Sequence, residues 1–155
     1  MTVRNLEFLF KPASVALIGA INTPGSVCAV IARNLLDAGF DGPVMPVNPK
    51  HAAVHGVLCY PDIARLPQAP DLAVIATPPA TVPGLIAQLG ARGTPAAVVV
   101  AAGFNAGGGA EGKTLVQDAL EAAQAVLAAI GEKPKRAVLA SWIGDRSVRG
   151  ADALQ

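Results

Sequence analysis

Aromatic side chains are scarce here, only 4% of the 155 residues. That argues against a binder of single-stranded nucleic acid, which needs aromatic faces for bases to stack on. Charge of either sign is nearly balanced, at a formal +1, and gives no basic footprint for a nucleic-acid backbone. The two cysteines, Cys28 and Cys59, lie far apart without the short spacing of a metal site. Both read as buried or half-buried free thiols. The two histidines, His51 and His55, share one polar connection in which no carboxylate is locally placed to orient them, so neither reads as a catalytic base. No apolar run approaches the ~20 residues of a membrane span. Residues 1–10 lack the apolar core and cleavage site of a secretory signal. The expectation is a cytoplasmic protein with no membrane, nucleic-acid or metal partner.

What the chain has in quantity is aliphatic residues, with 52% of positions apolar, enough for the core of one ordinary domain. The organising stretch is Val15 to Ser26: a short apolar run of β type, Gly19, then a loop of small residues. The loop opens into a helix predicted over 27–38, with Val27, Val30, Ile31, Asn34 and Leu35 at helical spacing. Ser26 is placed to cap it and Gly39 to end it. A short arm, Asn5 to Pro12, precedes this unit and lays Leu6, Phe8 and Leu9 on the domain. Val44 to Val47 reads as a second strand, whose Pro46 suits a sheet edge. The connection 51–70 holds a small edge strand at 56–60 and one helical turn near Asp62 to Leu66. Leu72 to Ala76 and Ala96 to Ala101 are continuous apolar runs, the mark of strands buried on both faces. A helix over Thr81 to Arg92 lies between them, with Val82, Leu85, Ile86 and Leu89 on one stripe. The longest helix spans Glu111 to Ile130, and Ala137 to Ala140 is a last strand.

Strands alternating with helices at these lengths call for a parallel sheet with right-handed crossovers, an α/β, Rossmann-like three-layer domain. All the strand-to-helix loops then open at one edge of the sheet, where such folds hold ligands. The first of these loops is suited to an anion, because backbone N–H groups and the helix dipole aim at one spot. A nicotinamide dinucleotide fits poorly. Its fingerprint wants glycines at 19, 21 and 24, where the chain has Gly19, Ile21 and Pro24, and an acid at the end of the second strand. That place carries Asn48-Pro49-Lys50. Lys50 reads either as a solvated loop lysine or as a contact to a phosphorylated ribose, which a carboxylate would repel.

Ile18-Gly19-Ala20, Pro24-Gly25-Ser26-Val27, Val44 to Lys50, Cys59-Tyr60-Pro61, Asp71 to Pro79 and Ala102-Gly103-Phe104, taken in this order, resemble the CoA-binding domain of NDP-forming acyl-CoA synthetases. These are the acetate–CoA ligase relatives of the succinyl-CoA synthetase alpha subunit. The same module occurs fused to GNAT-type domains in bacterial protein lysine acetyltransferases. The resemblance covers roughly residues 6–125 and implies coenzyme A as ligand. It implies that Gly19, Ala20, Ile21, Pro24, Gly25, Ser26 and Val27 cradle the CoA phosphates. Asn48 and Lys50 would meet the phosphorylated adenosine end. Ala76, Thr77, Pro78, Pro79, Ala102, Gly103 and Phe104 would line the pantetheine path.

The departures carry their own expectations. Ile21 stands where the family usually has Ser and Cys28 where it usually has Gly, and this bulk predicts weakened CoA affinity. Cys28 is either a structural thiol or one activated by the helix N-terminus. Asn105 replaces the start of a Gly-Glu pair. Residues 1–130 read as the CoA-binding domain and 131–155, with Trp142, as a remnant of a following flavodoxin-like ligase domain. In the family, catalysis passes a phosphoryl group through a histidine of a second domain and needs an ATP-grasp unit. The expectation is therefore a CoA-binding module without catalytic residues of its own, not competent alone. The alternatives are a subunit working with separate catalytic domains, a CoA-responsive regulatory domain of an acetyltransferase-type protein, and a folded remnant.

Overall fold

In the computed structural model the described residues are 6–100, 117–118, 121–122, 125 and 140–141. The arm forms helix α1 (Leu6–Phe10), and β1 (Val15–Ile18) follows it. Helix α2 (Val27–Asp37) leads to β2 (Val44–Val47). A hairpin of β3 (Ala53–Val54) and β4 (Val57–Leu58) comes next, then a 3₁₀ turn at Ile63–Arg65. Strand β5 (Leu72–Ile75), a 3₁₀ turn at Pro79–Thr81, α3 (Val82–Ala91) and β6 (Ala96–Val99) complete the main run. Residues 117–118, 121–122 and 125 are helical, and β7 (Ala140–Ser141) is a short strand.

The main sheet has the order β2-β1-β5-β6-β7 and is parallel throughout. Side chains of successive strand residues point to opposite faces. Val15, Leu17 and Val74 therefore join one cluster with Ala32, Ile31 and Leu35 of α2 and Leu9 of α1. Ala16, Ile18, Ala73 and Ile75 join a second cluster with Val82, Ile86 and Leu89 of α3. The result is helix, sheet, helix: the three-layer Rossmann-like architecture. Leu17 and Ile75 are fully buried, and each such side chain is worth roughly 1.5–3 kcal/mol of hydrophobic stabilisation. Pro46 is accommodated because β2 is the edge strand. The Pro46 carbonyl accepts from Tyr60 N–H on the outer side at 2.8 Å, so the missing proline N–H also falls on that side.

Two expectations need correction. The apolar stripe of α2 does not face the sheet as spaced: Ala29 and Ala32 are the buried residues, Val27 and Val30 are 55% and 37% exposed, and Asn34 is exposed. Alanines let the helix backbone lie close to the sheet, and Ile31 and Leu35 fill the flanks. The connection after β2 holds a hairpin at 53–58 rather than one strand at 56–60, although Tyr60 does pair with Val47 at the sheet edge. Its two-residue turn, His55-Gly56, has positive φ at both positions (48° and 80°), the geometry that matches strand twist in a tight hairpin.

Candidate functional site

The strand order places β2 and β5 on opposite sides of β1. The chain leaves β1 toward one side and returns on the other, so the β1–α2 loop and the loop after β5 diverge at a topological switch point. In open α/β sheets the crevice outside the strand ends at such a point is the ligand site. The ladder runs to the lip of that crevice. Gly19 N–H donates to the Val47 carbonyl at 2.9 Å, Ala76 N–H to that of Ile18 at 2.9 Å and Val100 N–H to that of Ile75 at 2.8 Å. Gly19 itself has φ +88°, and a Cβ there would lie 2.6 Å from the Ala76 carbonyl oxygen and 2.8 Å from Thr77 Cγ2. Its first duty is thus to let the two loops approach one another.

The β1–α2 loop is fastened by side chains. Ser26 Oγ accepts from Ala29 N–H at 3.1 Å as the helix cap and donates to the Thr23 carbonyl at 2.8 Å. The Ser26 carbonyl takes Val30 N–H at 3.0 Å, and among the described residues the first-turn amide of Val27 has no acceptor, as is usual at a helix N-terminus. Asn48, just past β2, donates from Nδ2 to the Ala20 carbonyl at 2.9 Å, while its Oδ1 accepts from Lys50 N–H at 2.9 Å. One side chain therefore ties the loop to the segment bearing Lys50, whose exposed ammonium has no ion-pair partner among the described residues. Asn22, which sequence reasoning passed over, donates from Nδ2 to the Ala53 carbonyl and accepts from His55 N–H, both at 3.0 Å. The signal for it was the His55-Gly56 turn between two short apolar pairs.

The structure gathers Gly19 to Val27, Asn48, Lys50 and Ala76 to Pro79 along this one edge. Ala20 is fully buried and offers its backbone alone, Ile21 is half-buried, and Pro24 and Gly25 are exposed. Across the crevice, Thr81 Oγ1 lies 2.8 Å from Thr77 Oγ1 and 2.7 Å from the Pro78 carbonyl, bracing the start of α3. Ala102, Gly103 and Phe104 fall outside the described residues, as do Asn105, Trp142 and most of the helix expected over 111–130.

Both cysteines are free, Cys59 buried and Cys28 half-buried. Cys28 Sγ turns toward the β5 loop, 3.4 Å from the Ala76 carbonyl oxygen. Burial raises the Cys28 thiol above the usual thiol range, with a backbone hydrogen bond opposing only part of the effect. This is the reverse of an activated cysteine. Alkylation of Cys28 by iodoacetamide at neutral pH is accordingly expected to run slower than that of an unstructured cysteine peptide; a faster rate would show an activated thiol. His51 is half-buried and His55 occupies the exposed hairpin tip. Among the described residues no cluster of His, Cys, Asp or Glu is arranged to hold a metal ion, and no helix is long and apolar enough to cross a membrane.

The family model for the CoA binding domain matches residues 13–139. The chain is 39% identical over 100 residues to an ADP-forming acetate–CoA ligase of Methanocaldococcus jannaschii, covering 64% of this chain and 14% of the ligase. It is 34% identical over 124 residues to the alpha subunit of ADP-forming acetate–CoA ligase I of Pyrococcus furiosus, covering 77% of this chain and 27% of that subunit. Among solved structures, a dinucleotide-forming acetyl-coenzyme A synthetase of Ca. Korarchaeum cryptofilum, in complex with phosphate and ADP, superposes with a TM-score of 0.65 at 33% identity. That match covers 78% of this chain and 25% of the synthetase. The chain thus spans about a seventh to a quarter of the length of these relatives. With a parallel sheet, a capped loop at its switch point and a family model spanning most of the sequence, the chain belongs to the CoA-binding domain family, whose ligand is coenzyme A, and is homologous to the alpha-subunit region of ADP-forming acyl-CoA synthetases.

Proposed function

We propose that this chain is the CoA-binding module of an NDP-forming acyl-CoA synthetase, the system that joins an acid to CoA at the expense of ATP, and that it is not competent alone. The observation that carries this reading is the arrangement at the switch point. The capped β1–α2 loop is joined through Asn48 to the segment bearing Lys50, which has no ion-pair partner among the described residues and stands where a diol-binding acid would be. The residues suit the ligand's chemistry. A helix N-terminus suits a pyrophosphate, and an exposed ammonium at the end of β2 suits the 3′-phosphate of the adenosine. Gly19 to Val27 would take the first, Lys50 the second, and Ala76 to Pro79 would border the pantetheine arm, with Ala102 to Phe104 continuing it. CoA is here a thiol substrate to be held, and no step of chemistry falls to the described residues.

The reading implies ATP-grasp and succinyl-CoA-ligase-like partners, in the same polypeptide or another, and a cytoplasmic setting. Residues 131–155 are proposed as a remnant of the flavodoxin-like domain; of these, the structure describes Ala140 and Ser141, which form β7 beside β6. Calorimetric titration with CoA, dephospho-CoA, NAD and ATP tests the proposal. CoA is expected to bind more tightly than NAD, and the chain supplied with acid, ATP and CoA to form no acyl-CoA. Equal or tighter NAD binding would remove the CoA reading.

A further inference from the structure

We infer that Asn22 is a positioning residue for the pyrophosphate loop, latching the middle of that loop to the β3–β4 hairpin; the inference rests on the CoA-binding reading. The loop is already held at both ends, by Asn48 at Ala20 and by Ser26 at Thr23 and Ala29. Between those points stand Ile21 and Gly25, and Gly25 has nothing within 4 Å of the position its Cβ would take. A loop of this kind, left to itself, must be ordered when an anion arrives, and that ordering is subtracted from the binding energy. Asn22 removes the cost in advance by using both ends of its amide on the hairpin backbone, the donor on the Ala53 carbonyl and the acceptor on His55 N–H.

The hairpin is a firm post for such a latch. Val54 is fully buried in the cluster on the α2 side of the sheet. Cys59 N–H donates to the Ala52 carbonyl at 2.9 Å, and Tyr60 bridges to Val47 of the edge strand. At the tip His55 has φ +48°, which the two-residue turn requires and which histidine adopts more readily than most residues. The Asn22 acceptor meets the N–H of that same residue. With one donor and the acceptor of its amide spent on the hairpin backbone, the role inferred for Asn22 is to hold the loop.

The test is calorimetry of the full chain and its Asn22→Ala variant with CoA and with dephospho-CoA, alongside thermal melting and amide hydrogen exchange of the ligand-free proteins. Asn22 is exposed, so its two bonds add little to global stability, and the melting temperature is expected to stay within about 2 °C. Affinity is expected to fall about tenfold for both ligands alike, because both carry the pyrophosphate, and His55 N–H is expected to exchange faster. Asn22→Ser, too short to span both partners, is expected to behave as alanine does and serves as the second variant. Unchanged affinity in a folded variant, or a loss confined to CoA, would overturn the inference, the second because it would mean direct contact with the 3′-phosphate. A wild-type chain that binds neither ligand would instead overturn the CoA reading and the positioning role with it.

Discussion

Gly19→Ala is expected to lower the melting temperature by about 10 °C, the largest effect of any single methyl group added at the site. Two costs combine. Gly19 has φ +88°, which costs an L-residue roughly 1–2 kcal/mol. The added Cβ would also lie 2.6 Å from the Ala76 carbonyl oxygen and 2.8 Å from Thr77 Cγ2. The Ala76 oxygen belongs to a backbone already fixed in the β1–β5 ladder by Ala76 N–H, so it cannot swing aside. Forcing such a contact adds roughly 1–3 kcal/mol. For a domain of this size, each kcal/mol moves the midpoint by roughly 4 °C. Gly25→Ala is the matched comparison: φ is +77° but nothing lies within 4 Å, so only the conformational cost of about 1 kcal/mol applies. Thermal melting of the two variants separates the terms. Equal shifts would show that the approach of the two loops is not what requires glycine at position 19.

Lys50→Ala is expected to weaken CoA binding by about 10- to 100-fold and to leave dephospho-CoA within about twofold. The proposed partner of the ammonium is the 3′-phosphate, which dephospho-CoA lacks. The substitution is clean on the protein side. What Lys50 gives the fold is its N–H, donated to Asn48 Oδ1, and alanine keeps that donor. Because Lys50 is exposed, the preference of the wild type for CoA over dephospho-CoA is expected to narrow as salt is raised, as the Debye length shrinks from about 10 Å at 0.1 M. Equal losses for the two ligands in calorimetric titration would make Lys50 only a loop charge.

The strands and helices at the site were legible in the sequence because each is specified by neighbours. Leu72 to Ile75 are apolar at every position and form a strand buried on both faces. Ser26 caps α2 through an atom three residues away, and Gly39 and Gly93 end their helices with positive φ. The stripe Val82, Leu85, Ile86 and Leu89 turned inward as spaced, since α3 packs on large side chains. On α2 the same rule failed at Val27 and Val30. Spacing gives the width of an apolar face, whereas close approach to the sheet selects the small residues Ala29 and Ala32. The anion-ready loop and Lys50 were visible as residue types in order along the chain. What joins them was not, because Asn48 reaches Ala20, Asn22 reaches Ala53 and His55, and Cys28 turns to Ala76 only after strand order has brought distant segments together. Glycine at position 19 shows the division within one residue. Its place in a turn after a strand is local information, but the carbonyl that forbids a side chain there belongs to Ala76, and only the pairing of β1 with β5 brings it within 3 Å.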